Sequence, residues 1–143
     1  MGWWEFGSYS SESANAIEVD GAGNTYVVGK YRNTVDFDPS GGAFLMTAQG
    51  ESDIFILKLD PNGQFLWSKS IGGTSFDYAN DIKIDGNGDV FITGVFRNTV
   101  DFDPGTSTHN LTSNGQYDVF VLKMDQSGNC LLYTSPSPRD FQV

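Results

Sequence analysis

The sequence predicts an all-β fold assembled from antiparallel sheets of four strands, and three observations predict it. A unit of 65 residues occurs twice, short alternating or apolar runs recur inside each unit, and four joints between runs share one Asp-x-x-Gly turn. The repeat is plainest in RNTVDFDP, which stands at Arg32–Pro39 and again at Arg97–Pro104. Without gaps, 14 of the 25 positions in Asn15–Pro39 are identical to those in Asn80–Pro104. SDIFILKLDPNGQ (Ser52–Gln64) likewise parallels YDVFVLKMDQSGN (Tyr117–Asn129). Self-similarity at a fixed period of this length marks a repeat architecture.

The elements follow in order. The first strand of each unit, NAIEVD (Asn15–Asp20) or NDIKID (Asn80–Asp85), alternates apolar and polar residues, the period of an extended segment with one covered face. The second, TYVVGKY (Thr25–Tyr31) or VFITGVF (Val90–Phe96), carries a glycine at the same place, Gly29 or Gly94, read as a point of close backbone approach. A variable excursion, roughly residues 33–51 in the first unit, separates it from the third strand, DIFILKLD or DVFVLKMD. The first unit closes with QFLWSKSIGG (Gln64–Gly73). The turns Asp20–Gly23, Asp60–Gly63, Asp85–Gly88 and Asp125–Gly128 place Asp where it accepts local backbone hydrogen bonds and Gly where φ is positive, so they join hairpins.

VFITGVF and DVFVLKM are apolar on both faces, which suits a sheet covered on both sides. A sandwich leaves one face of each sheet polar, whereas propeller blades are covered on both sides by their neighbours. The expectation is a partial β-propeller of about two antiparallel four-stranded blades; a β-solenoid is the alternative, although its repeats are usually shorter.

The run over Asn80–Pro104, Leu111–Asp125 and, one unit earlier, Asp53–Gly73 resembles the bacterial β-propeller repeats of the SBBP type. That resemblance implies a scaffold with no defined catalytic residue, found in large secreted or surface proteins of bacteria. The blades are expected at residues 14–73 and 74–129, the second truncated, after a ragged start at 1–13 that ends a preceding blade. Beyond Asn129 the pattern changes: Cys130 stands where Phe65 did, Leu132 where Trp67 did, and the strand logic is not expected to continue. CLLYTSPSPRD (Cys130–Asp140) matches the translation of a transposase adapter from short-read library preparation, so residues 130–143 are expected to be a non-native adapter-derived tail.

Composition narrows the function. A formal charge of −10 over 143 residues, with no basic cluster, argues against nucleic acid. The apolar runs are too short for a membrane-spanning helix, and MGWWEFG has no signal-peptide pattern. One cysteine allows no internal disulfide, and one histidine leaves little room for a zinc site or a serine triad. No catalytic residue and no cofactor are expected.

The polar candidates are the DFDP carboxylates Asp36, Asp38, Asp101 and Asp103, whose alternate spacing aims oxygens to one side, where calcium would suit them. The opposing reading is that Asp and Pro end a strand and begin a turn while Phe37 or Phe102 packs inward, and repetition in both units favours it. Asp85–Asp89 mimics the start of an EF-hand loop but lacks its glycine and distal glutamate, so it reads as a hairpin. Arg32 and Arg97 stand next to DFDP as structural partners for its carboxylates. Trp3 and Trp4 would touch carbohydrate if exposed.

The expected protein is thus a non-enzymatic propeller fragment of a secreted or cell-surface bacterial protein. It would bind proteins or glycans through its excursions, with neighbouring blades as structural partners. The alternatives are a piece of a propeller lyase or glycosidase whose active site lies elsewhere, and a structural spacer. Two blades alone would leave two broad faces uncovered.

Overall fold

A computed structural model of the chain describes residues 12–135. The expected ragged start through residue 11, with Trp3 and Trp4, and residues 136–143 of the expected tail lie outside the described residues. Ten strands and no helix make up the described residues: β1 (Glu12–Val19), β2 (Thr25–Tyr31), β3 (Thr34–Asp36), β4 (Leu45–Thr47), β5 (Asp53–Leu59), β6 (Phe65–Ile71), β7 (Tyr78–Ile84), β8 (Val90–Asp101), β9 (Asn110–Met124) and β10 (Cys130–Thr134). They form two antiparallel four-stranded sheets, ordered β1-β2-β5-β6 and β7-β8-β9-β10. The excursion is itself a hairpin: β3 pairs with β4, and the matching stretch of the second unit extends β8 and β9 into one long pair.

The shared turn chemistry has one geometry in all four places. At Asp20 the carboxylate accepts the N–H groups of Ala22 and Asn24, while the Gly23 N–H donates to the Asp20 carbonyl. Asp60, Asp85 and Asp125 repeat this pattern, and the four closing glycines hold φ between 81° and 88°. That region costs glycine little and other residues more.

One expectation fails. Cys130–Thr134 continues the sheet as β10, with Leu132, Tyr133 and Thr134 opposite Lys123, Leu122 and Val121. The physical reason is that strand addition uses backbone groups: the free edge of β9 accepts an extended partner without the Trp and Phe that the repeat carries there.

The two sheets stack face to face, with β7 lying across β1, β2 and β5. Tyr26, Val28, Ile54, Ile56 and Ile71 of the first sheet share one core with Ile82, Phe96, Phe102, Phe120, Leu122 and Met124 of the second. The opposite face of the first sheet carries Tyr31, Phe37, Phe55 and Leu57, the counterparts, 65 residues earlier, of Phe96, Phe102, Phe120 and Leu122. Each repeat therefore turns the same face toward the sheet before it, as consecutive blades do.

The first sheet does not leave that face broadly open, contrary to expectation. Its centre is fully buried at Tyr31, Phe37, Phe55 and Leu57, and exposure is concentrated at Ile17 and Val19 on β1. The inward-pointing Phe37 of the excursion accounts for part of this, since its ring packs against Tyr31 and Phe55.

Gly94 lies opposite the bulge of β7 between Ala79 and Asp81, as Gly29 lies opposite the bulge of β1. A Cβ on Gly94 would stand 2.1 Å from the Tyr78 carbonyl oxygen and 2.8 Å from the Ala79 Cα. Backbone cannot swing aside as a side chain does, so Gly94→Ala is expected to cost about 1–3 kcal/mol. Urea denaturation would read it, and an unchanged midpoint would show that the bulge relaxes freely.

Candidate functional site

The DFDP segments build two matching loops at the end of the sheets opposite the Asp-x-x-Gly turns. The Asp36 carboxylate accepts the N–H of Asp38 at 3.0 Å and of Phe44 at 2.9 Å. Asp101 does the same for Asp103 at 3.0 Å and His109 at 2.9 Å. In each loop this Asp clamps both ends, and a backbone bond from Phe37 N–H to the Phe44 carbonyl, or from Phe102 N–H to the His109 carbonyl, closes it. The second carboxylate opens the turn: Asp38 accepts the Ser40 N–H and hydroxyl, and Asp103 accepts the Gly105 N–H.

All four predicted carboxylates are thus gathered near the loop bases, each engaged by the backbone of its own loop. Among the described residues no three His, Cys, Asp or Glu side chains converge as a metal set. The intervening Phe37 and Phe102 point inward into matching aromatic trios. Phe37 lies 5.2 Å from Tyr31 and 5.0 Å from Phe55, and Phe102 lies 5.3 Å from Phe96 and 4.9 Å from Phe120. The DFDP motif therefore acts as a plug and a clamp: its Phe fills the blade and its carboxylates shape the loop.

The arginine pairing is corrected by the structure. The Arg97 guanidinium sits 5.7 Å from the centre of the Tyr117 ring, a cation–π contact, and the ion pairs among the described residues are His109–Asp103 and Lys123–Asp89. Arg97 leaves its DFDP because the clamping oxygen of Asp101 is already filled by backbone donors and a flat ring lies directly opposite in the register.

On this common base the tips differ. Gly41–Phe44 and Gly105–Thr108 are exposed. Phe44 packs tilted against Phe65 at 5.0 Å, whereas its counterpart His109 stacks on Tyr133 at 4.7 Å and reaches Asp103 with Nδ1 at 3.5 Å. Thr34 and Thr47 share a 2.8 Å hydroxyl contact, repeated by Thr99 and Thr112, so the stems are held alike while the tips change. Asn33 and Asn98 take φ of 58° and 62° at the base of each stem, a region that asparagine tolerates. Sequence reading passed over this signal in RNTV.

It also passed over the buried carboxylates at the seam between the sheets. Asp77 is fully buried and accepts the N–H groups of Gly73 at 3.0 Å and Arg97 at 3.1 Å. Burial pushes its pKa up to about 6 against those two hydrogen bonds, and the nearby Asp53 charge adds to the rise. Asp53, buried and holding the Gln49 and Gly50 N–H groups, is likewise raised by burial. The recurrence of Asp in DIF and DVF, at Asp53 and Asp118, was the available clue.

Comparison with known proteins finds one informative similarity. The chain is 30% identical over 106 residues to an uncharacterized WD repeat-containing protein of Acanthamoeba polyphaga mimivirus. The match covers 64% of this chain and 8% of that protein, so the chain spans a small part of the relative's length. No family model matches the chain. WD repeats run to about 40–45 residues, four strands to a blade. The present unit is longer by roughly the inserted hairpin that carries DFDP and the variable tip. The fold and this similarity together point to a propeller-type repeat.

Proposed function

We propose that the chain is a pair of consecutive propeller blades of the SBBP type from a secreted or cell-surface bacterial protein, serving as a non-enzymatic scaffold that binds proteins or glycans through its hairpin tips. The observation that carries this reading is the contrast between constant stems and unlike tips. Asp36 and Asp101 clamp identical loop bases, while Ser40–Phe44 (SGGAF) and Gly105–His109 (GTSTH) differ throughout. A rigid base with divergent exposed loops is how a scaffold carries recognition. The WD repeat in the name of the mimiviral relative supports the scaffold reading, and neighbouring blades are the structural partners that such a repeat implies.

A tip exchange tests it. The chain, and a variant carrying SGGAF in place of Gly105–His109, are applied to an array of extracellular glycans and matrix proteins. A ligand bound by the parent is expected to weaken at least about tenfold in the variant, a loss of about 1.4 kcal/mol, with the melting temperature unchanged. Binding undiminished both in this variant and in the converse one, GTSTH in place of Ser40–Phe44, would remove the loops from the function.

A further inference from the structure

Three Asn-Gly pairs occur in the chain, at Asn62, Asn87 and Asn114, and each asparagine is exposed. Asparagine before glycine is open to attack on itself, because glycine has no side chain to shield its nitrogen and lets the backbone bend. The glycine N–H first gives up its proton to base, and the nitrogen attacks the carbon of the asparagine side-chain amide. A new C–N bond closes a succinimide ring, and the amide NH2 leaves as ammonia with one proton taken back from solvent. Water then opens the ring at either carbonyl, giving aspartate or isoaspartate. No oxidant or reductant takes part.

Two of the pairs are locked by their turns. Asn62 and Asn87 each stand third in an Asp-x-x-Gly hairpin, where the Gly63 N–H donates to the Asp60 carbonyl at 2.9 Å and the Gly88 N–H to the Asp85 carbonyl at 3.0 Å. The asparagine N–H groups are fixed as well, on the Asp60 carboxylate at 2.8 Å and the Asp85 carboxylate at 2.9 Å. To react, either glycine nitrogen must surrender a hydrogen bond and turn out of its hairpin.

Asn114 and Gly115 stand outside any such turn. In the β8–β9 pair Arg97 lies opposite Tyr117 and Thr99 opposite Thr112, so Asn98 alone faces residues 113–116. Such an irregularity leaves the extra residues out of the ladder. Side chains hold its ends instead. The Asn98 N–H donates to Ser113 Oγ at 2.8 Å, Ser113 Oγ donates to the Gln116 carbonyl at 3.1 Å, and the Asn114 N–H donates to the Asp118 carboxylate at 3.0 Å.

The exposure of this place does not depend on what adjoins it. In the first unit Gln49 and Gly50 hold the same positions, 65 residues earlier. The link to the second sheet lies so near that a Cβ on Gly50 would meet the Gly73 carbonyl oxygen, yet Gln49 stays exposed. Gln49 is itself a poor substrate for this chemistry, since glutamine must close a larger ring.

We propose that Asn114 is the residue at which the folded chain deamidates, through attack by the Gly115 nitrogen, while the hairpins protect Asn62 and Asn87. The inference is independent of what the tips bind. The product carries a carboxylate on the residue whose N–H the buried Asp118 accepts, so conversion adds a negative charge at the base of the second hairpin.

Peptide mapping by mass spectrometry tests the proposal on the full chain, aged at mildly alkaline pH both folded and in guanidinium. The unfolded sample supplies the intrinsic rate of each site, so the ratio of the two rates isolates the effect of folding. Folding is expected to slow Asn62 and Asn87 at least about tenfold more than Asn114, equivalent to about 1.4 kcal/mol on the barrier. Asn114→Gln, which installs the residue of the first unit, should lose most of the isoaspartate read by enzymatic methyl transfer. The rate comparison needs no variant, so it stands whatever that substitution does to folding. Equal protection at all three sites, faster conversion at Asn62 or Asn87, or isoaspartate undiminished in Asn114→Gln would overturn the assignment.

Discussion

Phe102→Ala is expected to destabilise the chain by about 3–5 kcal/mol, the range for removing a buried aromatic ring from a packed core. Phe102 is fully buried, touches Phe96 and Phe120, and belongs to the core shared by both sheets. Its loss therefore opens a void inside the second blade and loosens the seam to the first. Phe37→Ala removes the counterpart from a core confined to the first sheet, so its effect on the seam should be smaller. Guanidinium unfolding of both variants, followed by tryptophan fluorescence, separates the two, because Trp67 donates its indole N–H to the Gln126 carbonyl across the seam. Equal losses in both variants would mean that Phe102 acts within its own blade alone.

Stability is also expected to fall by about 2 kcal/mol between pH 4 and pH 7 through Asp77. The folded pKa of Asp77 is raised from 3.8 to about 6, so the folded chain holds a proton that the unfolded chain has released. The contribution is complete below pH 3.8 and is lost as pH rises through about 6. Asp53 is raised too and works in the same direction. Asp20 and Asp125 oppose it at the acid end. Desolvation raises both, but hydrogen bonds, chiefly from Asn24 and Asn129 respectively, outweigh it and hold them below 3.8, so their contributions fade as pH falls through that range. Urea midpoints at pH 4.5, 6 and 7.5 should decline in that order. Asp77→Asn should flatten most of the decline, and an unaltered slope in that variant would assign it to other groups. Asparagine offers one acceptor for the two N–H groups of Gly73 and Arg97, so the variant should also lose about 1–3 kcal/mol at pH 4.5, where the native side chain is protonated.

Much of this was legible in the sequence. The 65-residue period, the four strands to a unit and the Asp-x-x-Gly hairpins depend on local chemistry: alternation sets the faces of a strand, and a turn with positive φ selects glycine. The inward Phe37 and Phe102 followed from DFDP for the same reason. The sequence did not disclose where Arg97 points, that Cys130–Thr134 would pair with β9, or that Asp77 would be buried beside Asp53. Each of those depends on which surfaces lie opposite one another after folding. Arg97 went to Tyr117 because the register placed that ring across from it, and Cys130–Thr134 joined an edge whose hydrogen bonds are indifferent to side chains. Asp77 was desolvated only when β7 closed over the first sheet. Local rules act through the chain and can be read along it, whereas burial, register and the electrostatics of a seam are properties of two surfaces at once.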